Sequence, residues 1–195
     1  MPIAAYAALI LAGGAATRMG GGDKPLLQLA NASVLQRIVS AVSAHPTAIS
    51  ANGDPTRFAS LGLPVLPDGD FAQQGPLSGL LAGLDWAATI GADTLLTVPG
   101  DTPFIPHNLA ASLAPAPACA TSNGRAHHLV ALWPTACRAA LHHLLATTNR
   151  RDVRYFAETI AMRQVDFPVT KWDPFLNINT PDDWAAARAI AEGEQ

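Results

Sequence analysis

The chain predicts an α/β fold: a single-domain, Rossmann-like, mostly parallel sheet with helices on both faces. Three observations predict it. Short apolar runs end at Leu11, Ala51, Leu66 and Val98, segments with helical apolar spacing lie between them, and a glycine-rich stretch follows the first run. Continuous apolar strands separated by helices belong in a parallel sheet covered on both sides. Such sheets bind ligands beyond the carboxyl ends of their strands, so the loops after these four runs are where chemistry is expected.

Taken in order, Ala7 to Leu11 reads as the first strand, and Leu35, Ile38 and Val42 mark the apolar stripe of a first helix. Ala48 to Ala51 and Val65-Leu66 follow as strands. Leu77, Leu80, Leu81, Leu84 and Ala88 then give the most regular helical spacing, opened by Gly75-Pro76, and Thr94 to Val98 is the next strand. After Asp101 the pattern changes. Ala114-Pro115-Ala116-Pro117 is a break, and two β-like runs, Ala118 to Ser122 and His128 to Trp133, flank Asn123-Gly124 as a hairpin or mixed-sheet extension. Helices are expected near Thr135 to Leu145 and Asp152 to Ile160, with a strand at Arg163 to Phe167. Leu176 to Thr180 alternates apolar and amide side chains and reads as a last strand, which feeds a helix that has Pro181 in its first turn and Thr180 as its cap.

Hydrophobic residues make up 49% of the 195 and charged residues 14%, the balance of a globular chain with enough apolar surface for one core. No apolar run approaches the ~20 residues of a membrane span. The segment Met1 to Tyr6 lacks the charged start and cleavage region of a signal peptide, so a cytoplasmic protein without a membrane partner is expected. Cys119 and Cys137 have no metal-ligand spacing and read as reduced structural thiols. A net charge of −3 argues against nucleic acid as a partner, which leaves a small-molecule substrate.

The most informative segment runs from Leu11 to Pro25. Glycines 13, 14, 20, 21 and 22 let the main chain approach a ligand and turn its N–H groups toward it, while Arg18 and Lys24 bring positive charge. Lysine occurs only at 24 and 171, so Lys24 is no sample of a lysine-rich surface. The segment is a phosphate-binding loop of neither common type. Lys24 lies between Asp23 and Pro25 rather than after a glycine and before Ser or Thr, and the G-x-G-x-x-G register is absent.

Leu-Ala-Gly-Gly, then Arg-Met-Gly-Gly, then Asp-Lys-Pro-Leu-Leu resembles the signature of nucleotidyltransferases, and most of all that of the molybdenum cofactor guanylyltransferases. The resemblance implies a nucleotide-diphospho-sugar transferase fold, similar to glycosyltransferase-A. It also implies transfer of GMP from GTP to molybdopterin with Mg²⁺ as cofactor, and two further kinds of partner, cofactor-insertion proteins and molybdoenzyme chaperones, downstream. Residues 1–195 would form one domain, with a nucleotide-binding half of about 1–104 and an acceptor-side half of about 105–195. Related alternatives are cytidylyl transfer, whose enzymes tend to have Leu-Ala-Ala-Gly, and transfer to a sugar phosphate, whose enzymes are usually longer. An alternative of another class is a non-catalytic nucleotide or molybdopterin binder on the same scaffold.

The resemblance carries nucleotide binding onto Leu11, Ala12, Gly13, Gly14 and Lys24. Arg18 and Lys24 would hold triphosphate oxygens and offset the charge that grows on departing pyrophosphate. Asp101 closes an apolar strand with a carboxylate before Thr102-Pro103 and is the expected Mg²⁺ ligand and catalytic residue. Asp68, seven residues before Gly75, is expected to contact guanine or ribose, with Asp70 as its near neighbour. Asn52 is a further base or ribose contact, although some relatives place an asparagine where this chain has Ser50. On the acceptor side stand Gly75, Pro76, Leu77 and Ser78 at a helix start, together with Asn177 or Asn179. Arg150, Arg151, Arg154 and Lys171 form a basic cluster suited to an anionic tail or to solvent. His127-His128 and His142-His143 are assigned to packing or surface. Sequence shows no Ser-His-Asp or Cys-His nucleophile arrangement.

Overall fold

The structure is a computed structural model that describes residues 6–13, 24–42, 45–72 and 74–193; the side chain of Lys24 lies outside that description. Among the described residues the chain runs β1 (Tyr6–Leu11), β2 (Gln28–Leu29), β3 (Ala32–Ser33), α1 (Val34–Val42), β4 (Thr47–Ser50), β5 (Val65–Leu66), α2 (Pro76–Thr89) and β6 (Thr94–Pro99). It continues with α3 (Leu109–Leu113), β7 (Ala118–Ser122), β8 (Arg125–Pro134), α4 (Arg138–Thr147), α5 (Val153–Thr159), β9 (Arg163–Asp166) and α6 (Pro181–Gly193).

One sheet takes the order β5-β4-β1-β6-β8-β7-β9. Its first four strands are parallel, β8 is antiparallel to both β6 and β7, and β9 returns parallel to β7. The βα alternation and the hairpin are therefore as expected, and Asn123 (φ 48°) and Gly124 (φ 72°) make the turn that needs two positive φ angles. Both faces of the sheet are covered. Ala8, Ile10, Ile49, Leu96 and Val98 pack toward α1, α3 and α6, while Ala7, Leu9, Ala48 and Leu95 pack toward α2, α4 and α5. That two-sided burial is why β1 and β6 read as continuous apolar runs.

Side chains fix the helix ends. Gln36 N–H donates to Ser33 Oγ and Ser33 N–H to Gln36 Oε1, a reciprocal cap that starts α1. Asp183 N–H donates to Thr180 Oγ1 and Thr180 N–H to Asp183 Oδ2, which starts α6 where the sequence placed it. Asp152 accepts from the N–H groups of Arg154 and Tyr155 and starts α5.

The structure corrects one expected element. Leu176 to Thr180 is not a strand, because its main-chain groups bond elsewhere than to a sheet neighbour. Phe175 N–H donates to Asp173 Oδ1, Ile178 N–H to the Asp101 carbonyl, and Asn179 N–H to Asp183 Oδ2. The segment is pinned across the end of β6 instead of lying beside a strand.

Candidate functional site

Because β1, β4, β5 and β6 are parallel, their carboxyl ends share one edge of the sheet, and the expected site residues fall along it. At the root of the glycine loop, Ala12 N–H donates to the Ser50 carbonyl (2.9 Å) and Gly100 N–H to the Leu11 carbonyl (2.9 Å). These two bonds extend the ladder past β1 toward both neighbours. The Ala12 donor is thus committed to the fold, while the Leu11 carbonyl keeps a second lone pair, and both residues hold the loop root in place between the ends of β4 and β6.

Gly100 keeps that approach uncrowded. A Cβ there would meet the Leu11 carbonyl at 3.2 Å and Ala12 Cα at 3.3 Å. Gly13 differs. Its Cβ would make ordinary contacts, 3.8 Å to the Ser50 carbonyl and 3.9 Å to Ala51 Cα, so the described fold leaves room for a side chain at this exposed position. Gly14 and Arg18 lie outside the described residues. For Lys24 the backbone is described, opening a 3₁₀ turn over Lys24–Leu26.

Beyond β4 and β5, Asn52 and Asp68 meet. Asn52 Nδ2 donates to Asp68 Oδ2 at 2.7 Å, and Asp68 N–H donates to Asn52 Oδ1 at 3.1 Å. Sixteen residues apart in sequence, they form one half-buried unit, and Arg57 Nη2 adds a bond to the Asn52 carbonyl (3.1 Å). Asp70 is exposed in the 3₁₀ turn Gly69–Phe71, whereas Asp68 carries the contact to Asn52.

Beyond β6, Asp101 is half-buried and the next residue, Thr102, is fully buried. Thr102 Oγ1 donates to Asn177 Oδ1 at 3.1 Å, and Ile178 N–H donates to the Asp101 carbonyl at 3.0 Å. The C-terminal segment is thereby clamped onto the Asp101 turn by two bonds. Asn177 is joined to that turn, while Asn179 is exposed and gives its N–H to Asp183. Sequence reasoning did not single out Thr102, whose position between Asp101 and Pro103 was the available signal.

At the start of α2, Gly75 sits at φ 87°, a conformation suited to glycine, with Pro76 in the first turn. Leu77 is a core side chain, and Ser78 is buried, with no hydrogen-bond partner for its Oγ among the described residues. A ligand approaching this turn would thus meet main-chain groups. Gly79 brings the helix onto the sheet edge, since a Cβ there would overlap Ser50 Oγ and touch Leu11.

The basic cluster does not act as one. Arg151 donates to the carbonyls of Leu145, Thr148 and Arg150 and to Gln74 Oε1, which closes the end of α4. Arg150 lies over the Tyr155 ring, and Arg154 pairs with Glu158 at 2.8 Å. Lys171 is exposed.

The histidine pair at 127–128 is split by a bulge. Register shifts between Cys119 and Ala120, so that Ala131 pairs with Cys119 but His127 with Ala120. This puts His127 against Phe175, with ring centroids 5.1 Å apart, on the side of α6. Burial, outweighing the pull of Asp173, lowers the His127 pKa, and burial followed by Arg154 lowers that of His128. Ser122, His127 and Asp173 come together here, a grouping with no signal in local spacing. Ser122 stands in the middle, 2.8 Å from His127 Nε2 and 2.8 and 2.9 Å from the two Asp173 oxygens. A nucleophilic serine needs histidine between it and the acid, and Ser122 is fully buried, so the three are not a nucleophile triad.

The comparisons with known proteins agree with one another. The model of the MobA-like NTP transferase domain matches residues 8–162. A molybdenum cofactor guanylyltransferase of Acidiphilium cryptum (strain JF-5) is 52% identical over 93% of this chain and 93% of its own. Another, of Mesorhizobium japonicum, is 45% identical over 95% and 96%. The crystal structure of molybdopterin-guanine dinucleotide biosynthesis protein A from Archaeoglobus fulgidus superimposes with a TM-score of 0.71 at 19% identity, covering 96% of this chain and 99% of that one.

Proposed function

The chain belongs to the MobA-like NTP transferases and, among them, to the molybdenum cofactor guanylyltransferases, and on that premise we propose how its residues move GMP from GTP to molybdopterin. GTP lies along the carboxyl edge of the sheet. Its base or ribose meets the Asn52–Asp68 pair, and its phosphates lie over the loop from Leu11 through Gly14, with Arg18 and Lys24 as the cations. The observation that carries this reading is that the Asn52–Asp68 pair, the loop root and the Asp101 turn stand on adjacent parallel strand ends, tied through Ser50 and Gly100.

Asp101 is the residue proposed to hold Mg²⁺. One carboxylate beside substrate phosphates suits this ion, which keeps much of its shell as water and phosphate oxygen. Among the described residues no cluster of three or more His, Cys, Asp or Glu could supply a fuller protein shell. When bound, the ion would neutralise charge on the phosphates and on the leaving pyrophosphate. The acceptor's phosphate monoester has a second pKa near 6 and is ionised at neutral pH, so it attacks the α-phosphorus in line without a dedicated base. The residues then work by position and charge. Asn177, held by Thr102, orients the acceptor end of the site, with the main chain of Gly75 to Ser78 beside it. Asn179 is the weaker member of the pair for this role.

Residues 1–195 act as one domain in this account, with the nucleotide half up to about 104 and the acceptor half after it. No helix among the described residues is long and apolar enough to cross a membrane. The proposed setting is the cytoplasm, with the product passed to cofactor-insertion proteins or molybdoenzyme chaperones. The direct test is formation of guanine dinucleotide and pyrophosphate from GTP and molybdopterin, with CTP, ATP and UTP as competitors. Asp101→Asn leaves the main-chain carbonyl that Ile178 uses. It is expected to lower kcat by about 10²-fold or more. Unchanged kcat would remove Asp101 from the mechanism, and equal use of CTP would overturn the guanylyl assignment.

A further inference from the structure

The top of the β7–β8 hairpin carries a chain of polar contacts that the nucleotide end of the site does not use. A hydroxyl has one proton and a carboxylate only accepts, so Ser122 donates to Asp173, and His127 must donate through Nε2 to Ser122. The imidazole proton is therefore on Nε2, which leaves a lone pair on Nδ1. Among the described residues nothing hydrogen-bonds to that Nδ1. Burial keeps the ring neutral against the attraction of Asp173, with Arg125 and His128 as the other charged or titratable groups facing it.

His127 also lines a cavity of about 360 Å³ that runs from Pro99 and Asn177 past Arg125, His128 and Leu129 to Val153. Pro99 ends β6 two residues before Asp101, and Asn177 is bonded to Thr102, so one end of the cavity borders the Asp101 turn. A molecule whose phosphate reacts at Asp101 would extend its other end into this space. The lining there is mixed, with aliphatic Leu129, Val130 and Val153 beside the His127 ring, the Asp152 carboxylate and the donors of Arg125 and Arg154. That combination suits a planar heterocycle with N–H donors and carbonyl acceptors along its edge.

We propose that this cavity seats the heterocyclic end of the acceptor and that His127 Nδ1 accepts a hydrogen bond from a ring N–H, with Ser122 and Asp173 as positioning residues that fix the tautomer. The inference rests on the guanylyl-transfer reading and names the residue that recognises its second substrate. It also gives Ser122 a reason to be polar at full burial, where an apolar side chain would otherwise serve.

Two measurements test it. Nitrogen-15 shifts of the His127 ring in the free protein should report the Nε2–H tautomer, and Ser122→Ala should abolish that preference. In steady state, His127→Gln keeps a donor for Ser122 and has no atom in place of Nδ1. Its KM for molybdopterin should rise about five- to tenfold, the value of one net hydrogen bond, with the KM for GTP within about twofold. His127→Asn, whose Oδ1 stands near the lost nitrogen, should recover part of that loss. An Nδ1–H tautomer, an unchanged acceptor KM in His127→Gln, or equal rises in both KM values would overturn the proposal. A wild-type protein that makes no dinucleotide overturns the guanylyl-transfer reading and this inference together. An active wild type with an indifferent His127→Gln overturns the inference alone.

Discussion

Replacing Asn52 by alanine tests whether Asp68 is an oriented nucleotide contact or a loop carboxylate. The substitution removes the 2.7 Å bond from Nδ2 to Asp68 Oδ2 and the 3.1 Å bond from Asp68 N–H, while the Arg57 bond survives because it ends on the Asn52 carbonyl. A charge-assisted bond contributes about 1.5–3 kcal/mol and a neutral one about 1 kcal/mol. Both groups here are half-buried and water can replace the lost partner, so about 1.5 kcal/mol is the expected net cost. For a chain of 195 residues that is a fall of about 3–6 °C in Tm, read by calorimetry. Without Asn52, Asp68 regains its rotamers and must lose them again on binding, at a cost of about 0.6–1 kcal/mol, or about three- to fivefold in the KM for GTP. Turnover at saturation should stay within about twofold, because the loss is one of binding and not of transition-state contact. Asn52 acts through Asp68, so Asn52→Ala with Asp68→Ala should raise the KM no further than Asp68→Ala does by itself. Additive effects on log KM, or an unchanged Tm in Asn52→Ala, would refute the reasoning.

Two glycines on one strand edge should respond in opposite ways. Gly100→Ala forces a Cβ against Leu11 and Ala12 and should cost about 1–3 kcal/mol by thermal unfolding. Gly13→Ala should leave Tm within about 1 °C and raise the KM for GTP instead, since the described residues leave room for the methyl and a phosphate laid over the loop does not; a Tm loss like that of Gly100→Ala would contradict this. Alkaline unfolding should report the buried thiols. Burial raises the Cys137 pKa to about 12 from 9.0 and raises that of Cys119, so above pH 9 the unfolded chain releases protons that the folded one keeps. Stability is then full below pH 9 and declines as pH rises toward the folded values, approaching about 1.4 kcal/mol per pH unit for each thiol. Replacing both cysteines with alanine should flatten urea-derived stability between pH 9 and 10, below the range in which the raised Tyr6 hydroxyl titrates.

What could be read from the sequence follows from how far apart the interacting residues stand. The strands β1, β4 and β6 are buried on both faces and announce themselves as local apolar runs, and the reciprocal caps of α1 and α6 lie within three residues. Asp101 was legible because a carboxylate ends such a run. The bond of Asn52 to Asp68 crosses 16 residues and that of Ser122 to Asp173 crosses 51, so in sequence each residue resembles a turn former. The two-residue strands β2 and β3 are too short for any periodicity to show. Alternation misled at 176–180 because it records which side chains are buried and not what the main chain bonds to. Leu176 is half-buried and Ile178 buried, as a strand would have them, yet the N–H groups go to Asp173, Asp101 and Asp183. The same limit applies at His127-His128. A strict period of two would place Arg125, His127 and Leu129 on the face of Ala131 and Trp133, but the bulge beside Cys119 reverses the faces. His127 consequently meets Ser122 and Phe175, whereas His128 faces the α5 side with Ala157 and Cys119. One irregularity in pairing, invisible in composition or spacing, thus decides which of two adjacent histidines meets Ser122 and has its tautomer set by that contact.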